Sequence, residues 1–143
     1  MTIKQLSIFL ENKPETLYKL TETLAVNKVN MRALSLADSS DFGIARIICD
    51  SPDAVADKLR GEDYIVNVTD VLAVEIPDEA GSLNKILKVL SENNRNVEYM
   101  YGFTGRKTNT ACMIMRCTDV AKAEEVLSSA GIKLISQEEL LNI

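Results

Sequence analysis

In the stretch LENKPETLYKL the residues Glu11-Asn12-Lys13 separate two apolar runs, and sixty-six positions later IPDEAGSLNKI repeats the arrangement with Asp78-Glu79. Carboxylates, an amide and a lysine at such a break can close a turn, hold a small polar ligand or take part in proton transfer. The chain has no histidine, which removes the common triads, His-based acid–base pairs and most zinc sites. Catalysis would therefore fall to carboxylates, Lys, Tyr or Cys. Arg32, Asp38, Asp41, Glu98, Arg106 and Lys107 are available polar groups, but no spacing among them singles out a nucleophile with its base. The sequence thus points away from an enzyme.

Composition narrows the partners. With 16 basic and 21 acidic residues in 143, the net charge of −5 argues against nucleic acid, whose affinity is supplied mainly by Lys and Arg on phosphates. No apolar run approaches the roughly 18 residues of a membrane span, and MTIKQLSIF lacks the order of a signal peptide, so a cytoplasmic protein without a membrane partner is expected. Cys49, Cys112 and Cys117 form no C-x-x-C and lie in apolar stretches, as reduced core thiols do. No metal or cofactor is expected.

Sliding the chain on itself exposes a duplication. Residues 6–35 align with 72–101 without a gap, with identities at Leu6/Leu72, Leu17/Leu83, Lys19/Lys85, Leu24/Leu90, Asn27/Asn93 and Asn30/Asn96. Ile8/Val74, Leu10/Ile76, Leu20/Ile86, Met31/Val97 and Leu34/Met100 keep their apolar character, and these are core-type positions. Later the matching offset is 68, pairing Leu59 with Leu127, so the second copy carries about two extra residues near Gly105-Arg106-Lys107.

Each copy reads as strand, helix, two strands, helix, strand. Leu6, Ile8 and Leu10 alternate with Ser7 and Phe9; Pro14 suits a first helical turn, and Leu17, Leu20 and Leu24 recur on one face. Asn27-Lys28 and Asn93-Asn94 are expected to stop these helices through an asparagine in the left-handed region. Strands at 30–37 and 42–49 follow, matched by 96–104 and 109–117. Ser51-Pro52-Asp53 and Thr118-Asp119 open the second helices, and the second of these stops at Gly131. Strands at 64–68 and 132–135 close the copies, and a short helix over 137–141 ends the chain. The predicted fold class is α+β: two ferredoxin-like βαββαβ units, domains 1–69 and 70–143, with hardly more than Thr69-Asp70 between them. Pairing the two second strands, 30–36 against 96–102, would join the units edge to edge into one eight-stranded antiparallel sheet with helices on one face.

The residues E-N-K-P-x-x-L after an apolar strand, followed by a helix and then V-N-M at the head of strand two, resemble the ACT domain, an amino-acid-sensing module of many biosynthetic enzymes. The resemblance covers about residues 2–135, and the first copy is similar to the serine-binding regulatory domain of phosphoglycerate dehydrogenases. It implies ligand-binding asparagines at Asn12 and Asn30, with Asp78 and Asn96 at the matching places of the second copy. The usual Pro-Gly at the helix start is divided between the copies: the first keeps Pro14 but has Glu15, and the second has Ala80 but keeps Gly81. Unequal sites are expected, the second the more open.

A free amino acid needs donors for its carboxylate and acceptors for its ammonium. The helix starts at Glu15, Thr16 and Leu17 and at Gly81, Ser82 and Leu83 offer backbone N–H groups to the carboxylate, and Asp78 suits the ammonium. If the second strands pair, Met31, Leu34, Val97 and Met100 would line the side-chain pocket. Each asparagine has a plainer role as a turn residue, and Tyr99, Met100, Tyr101 and Phe103 suit packing as well as a pocket wall. The resemblance implies a non-catalytic sensor that reports its ligand to an enzyme of amino-acid metabolism in trans, with a homodimer as a further partner. The alternatives are a regulatory subunit acting by protein contact without its own ligand, and a small ferredoxin-like enzyme. An RNA-recognition reading of Asp41-Phe42-Gly43-Ile44 fails on the acidic Asp41 and on Ile44 and Ile47 where stacking aromatics belong.

Overall fold

The structure is a computed structural model that describes residues 1–103 and 107–142. The chain divides into two compact units, Lys4–Thr69 and Asp70–Ile143, the latter together with Met1–Ile3. In the first unit β1 (Ile3–Glu11), α1 (Thr16–Val26), β2 (Met31–Ser39), β3 (Phe42–Cys49) and α2 (Pro52–Gly61) lead into β4 (Ile65–Pro77). The second unit takes over in the middle of β4 and continues through α3 (Ser82–Glu92), β5 (Val97–Phe103), β6 (Thr110–Cys117), α4 (Val120–Ser129) and the short α5 (Gln137–Leu141). The hydrogen-bonding order is β2-β3-β1-β4 for the first unit and β4-β6-β5 for the second.

The cores show the duplication directly. Leu6, Ile8 and Leu10 of β1 bury one strand face against Leu20 and Leu24 of α1 and Val55, Ala56 and Leu59 of α2, with Ala45, Ile47, Cys49 and Val66 completing the cluster. The second core is Leu72, Val74, Ile76, Ile86, Leu90, Met115, Cys117, Ala123, Leu127 and Leu134. Every member has a counterpart in the first. The α+β class and the two longer helices of each unit, α1 and α2 and then α3 and α4, thus follow from apolar spacing, period two in the strands and three to four in the helices. The cysteines are free and buried, and burial followed by the charge of Asp50 pushes the Cys49 thiol up to about 11.

The turn from first strand to first helix is also repeated, bond for bond. Asn12 N–H donates to Asp41 O at 3.0 Å and Asp78 N–H to Asn109 O at 2.8 Å; Lys13 N–H and Glu79 N–H reach back to Glu11 O and Pro77 O at 2.9 Å each. Thr16 N–H and Ser82 N–H then donate to Lys13 O and Glu79 O, and Lys19 N–H and Lys85 N–H close the first helical turn on Glu15 O and Gly81 O. The residue before each helix is left-handed, with φ 77° at Glu15 and 89° at Gly81. Glutamate therefore occupies a conformation that glycine adopts without strain.

Three expectations are corrected. The strands number six among the described residues, not eight, because the expected break at Thr69-Asp70 is absent: β4 runs unbroken for 13 residues. The last expected strand, 132–135, is reduced to a single antiparallel bridge between Val74 and Leu134. The two second strands do not pair, so the edge-to-edge sheet is not formed; the hydrogen-bonded neighbour of β2 is β3 and that of β5 is β6. Each of these strands carries a bulge at its start, between Met31 and Ala33 and between Val97 and Tyr99, and β2 ends in exposed Asp38 and Ser39. Bulges and charges at an edge are the common means of preventing such pairing. At the helix stops the expected left-handed asparagine is present in the second copy as Asn94, while in the first that place is taken by Lys28; Asn27 and Asn93 sit one position earlier and bond their side-chain amides to Thr23 O and Val89 O at 2.8 Å each. The expected two-residue insertion at 105–107 falls largely outside the described residues.

The two helix starts make a matched pair of tests. No atom lies within 4 Å of a Cβ built on Gly81, so a side chain there meets only the cost of its φ. Glu15→Gly is expected to stabilise the protein by about 1 kcal/mol and Gly81→Ala to destabilise it by about the same amount, read as opposite shifts of the urea midpoint.

Candidate functional site

Each unit has a groove beside the start of its first helix, and the two are built from matched positions. In the first unit Phe9, Leu10 and Glu11 of β1, Thr16 and Lys19 of α1, Phe42 of β3 and Asp63-Tyr64-Ile65 surround about 320 Å³. In the second unit Glu75, Ile76 and Pro77 of β4, Ser82, Lys85, Ile86 and Val89 of α3, Thr110 of β6 and Ala130–Lys133 surround about 500 Å³. The strand supplies the floor because its alternation sends Leu10 or Ile76 towards the helix. The left-handed turn then brings the first helical residue, Thr16 or Ser82, over the strand's end.

The two first helical residues differ in what they bind. The Thr16 hydroxyl donates to Glu11 O at 2.8 Å and lies 3.0 Å from Lys13 O, so it is satisfied within its own turn. The Ser82 hydroxyl has no partner among the described residues, although Ser82 is only 5% exposed. A buried hydroxyl without a partner costs about 1–3 kcal/mol. Neither Glu15 nor Gly81 gives its helix a side-chain cap, but Glu15 sets a carboxylate at the first helix start where Gly81 leaves the second bare.

Charge is distributed unequally as well. In the first unit Lys13 Nζ pairs with Glu11 Oε2 at 2.6 Å within the turn, and this pair, by hydrogen bond and then by charge, lowers the Glu11 pKa and raises that of Lys13. In the second, Glu75 is held between Lys133 at 3.2 Å and Lys107 at 3.4 Å with its side chain 17% exposed. Burial pushes the Glu75 carboxyl up, and the hydrogen bonds and charges of Lys133 and Lys107 outweigh it, so its pKa lies below the ordinary 4.5. Burial and the Glu75 charge together push the neighbouring Cys112 thiol up to about 12, which keeps it an inert core group. Lys85, one turn into α3, makes no ion pair among the described residues.

The residues expected from the sequence are dispersed. Asn12 uses its amide structurally, donating to Ser40 O at 3.2 Å, and Asn30 is exposed. Asp78 is exposed, and its backbone N–H closes the turn. Asn96 and Val97 line a separate hollow of about 370 Å³ at the other end of α3, with Leu87, Leu90, Ser91, Asn94 and Arg95. Leu17 and Met31 pack against the first core, and Leu83, Val97 and Met100 against the second, while Leu34 is 43% exposed on β2. Thr16 and Ser82 alone among the expected residues line the two grooves; Glu15 and Gly81 adjoin them as the caps. Sequence reasoning missed Glu75, Lys85, Thr110 and Lys133. The identity Lys19/Lys85 was the available signal, since both lysines stand one turn after the helix start and both line the grooves.

The comparisons agree with this architecture. The family model described as ACT domain pair matches residues 1–143, and the chain belongs to that family, a regulatory, amino-acid-sensing type of domain. Among solved structures, protein BT0572 from Bacteroides thetaiotaomicron is 38% identical, with a TM-score of 0.92 over 100% of this chain and 98% of that one. The regulatory subunits of aspartate kinase from Thermus flavus and Thermus thermophilus are 13% and 10% identical, with TM-scores of 0.62 and 0.59, each over 89% of this chain and 91% of theirs; they share the fold. No curated protein matches. Among the described residues no helix is long and apolar enough to cross a membrane, and no cluster of His, Cys, Asp or Glu could hold a metal ion.

The Glu75 arrangement has a pH consequence. A carboxylate whose folded pKa lies below its ordinary value adds stability above that value and loses it as the pH falls through the folded pKa. Wild type is expected to exceed Glu75→Gln by about 1 kcal/mol at pH 7, and the difference should shrink as the pH falls below 4.5 and vanish once it has passed the lowered folded pKa, as unfolding is followed by urea titration.

Proposed function

We propose that the protein is a non-catalytic sensor of a free amino acid that regulates an enzyme of amino-acid metabolism in trans. The observation that carries the reading is the match of the whole chain to an ACT domain pair, joined to a strand-to-helix turn kept bond for bond in both copies. The expected ligand-facing groups are Asn12, Glu15, Thr16, Leu17, Asn30, Met31 and Leu34 in the first unit, and Asp78, Gly81, Ser82, Leu83, Asn96, Val97 and Met100 in the second. The carboxylate of the amino acid would meet the helix start and its ammonium Asp78 or an asparagine carbonyl. The enzyme partner is supported by the resemblance in fold to aspartate kinase regulatory subunits, and a second copy of the chain is a further partner of the reading.

The test is thermal shift of ligand-free protein against the twenty amino acids. At least one should raise the melting temperature by several degrees at a hundredfold excess over its Kd, which corresponds to about 2.7 kcal/mol of linked stabilisation. A flat response to all twenty would remove the amino-acid reading and leave a subunit that acts by protein contact.

A further inference from the structure

We infer that the groove of the second unit, between α3 and residues 130–133, binds a small monocarboxylate with an aliphatic body. The proposal shares the α3 start, Gly81 and Ser82, with the amino-acid reading but does not use Asp78 or the asparagines. Two independent features meet there. The first is the start of an 11-residue helix without a side-chain cap, whose N-cap is Gly81. The unpaired N–H groups and dipole of such a start favour an anion. The second is the Ser82 hydroxyl, which belongs to a residue 5% exposed, lines the groove and has no partner among the described residues. A hydroxyl in that setting is a donor waiting for an acceptor.

The surrounding charges select the sign of the ligand. Lys85 lines the groove without an ion pair among the described residues, and the one carboxylate in the lining, Glu75, is already held by Lys107 and Lys133. Lys107 and Lys133 are balanced by Glu75 and by Glu139, whose charge acts on both lysines, which leaves Lys85 as the net positive charge at the groove and favours an anion. The rest of the wall sets the body of the ligand: Ile76, Ile86, Val89 and Ile132 are aliphatic, and among the described residues no aromatic side chain lines the groove. One anion anchor at one end of an aliphatic trough fits a single carboxylate on a branched or straight hydrocarbon chain, and has no second anchor for a dicarboxylate.

The first unit shows what a closed version looks like. Its groove is smaller, its threonine hydroxyl is spent on Glu11 O and Lys13 O, and Glu15 places a negative charge at the helix start. Binding is therefore assigned to the second unit only.

The experiment is a titration of the full chain with isovalerate, followed by ¹H–¹⁵N chemical shifts, with isovaleramide as the uncharged isostere. Isovalerate should move the amides of Ser82–Ile86 in a saturable way, with isovaleramide at least tenfold weaker. Ser82→Ala and Lys85→Gln should each weaken binding by about tenfold, the loss of one charge-assisted hydrogen bond or ion contact. Lys88→Gln, one turn further on a charged position outside the groove, should leave the affinity unchanged. Shifts confined to other residues, equal binding of the amide, or full affinity in both Ser82→Ala and Lys85→Gln would overturn the assignment. Should an amino acid raise the melting temperature while isovalerate fails to reach α3, the sensor reading stands and this one falls.

Discussion

A single left-handed residue before the first helix of each unit is the constraint on which the rest depends. It lets β1 or β4 reverse into α1 or α3 within five residues, so the leucines of the helix land on the strand that precedes them. It also leaves the helix start open to solvent beside the strand's end, where both grooves lie. Glycine meets the requirement without strain and glutamate does not, yet both copies adopt it with the same set of backbone bonds. The packing of the two cores therefore outweighs the local cost at Glu15, which is a fraction of the energy held in either cluster.

From that shared turn the copies diverge in what they leave available. In the first, the hydroxyl, the lysine and the carboxylate of the turn satisfy one another: Thr16 on Glu11 O and Lys13 O, Lys13 on the Glu11 carboxylate. In the second, the same positions are Ser82, Glu79 and Pro77, and proline has no side-chain charge to pair. The serine hydroxyl and the start of α3 are left over. Duplication followed by unequal loss of turn residues is enough to give one self-satisfied copy and one with unmet hydrogen-bonding capacity.

Much of the fold was legible in the sequence because the duplicated positions are core positions. Leu6/Leu72, Leu24/Leu90 and Leu59/Leu127 are matched in the chain and buried in the structure, and the short helix expected at 137–141 forms, its start closed by a capping box of Ser136 and Glu139. The fused strand was not legible: Thr69 and Asp70 are polar and read as a linker, but a ladder bonds backbone groups, and Asp70 O is engaged by the Arg116 guanidinium at 2.7 Å. Nor was the bulge that follows Met31 and Val97, which turns the edges the sequence seemed to offer for pairing. The groove was half legible. Gly81 and Ser82 stand in the sequence as a helix start, whereas Glu75, Lys107 and Lys133 meet only through the fold, and whether a hydroxyl has a partner is a matter of geometry that no spacing reveals.

The central claim is that the two helix starts have become functionally unequal, with the second kept open. Hydrogen–deuterium exchange of the full chain, with and without the amino acid that raises its melting temperature, tests this most directly, since both starts are read in the same sample. The account predicts slowed exchange in peptides covering 78–86 and little change in those covering 12–20. Protection confined to 12–20, or equal protection of both, would contradict it.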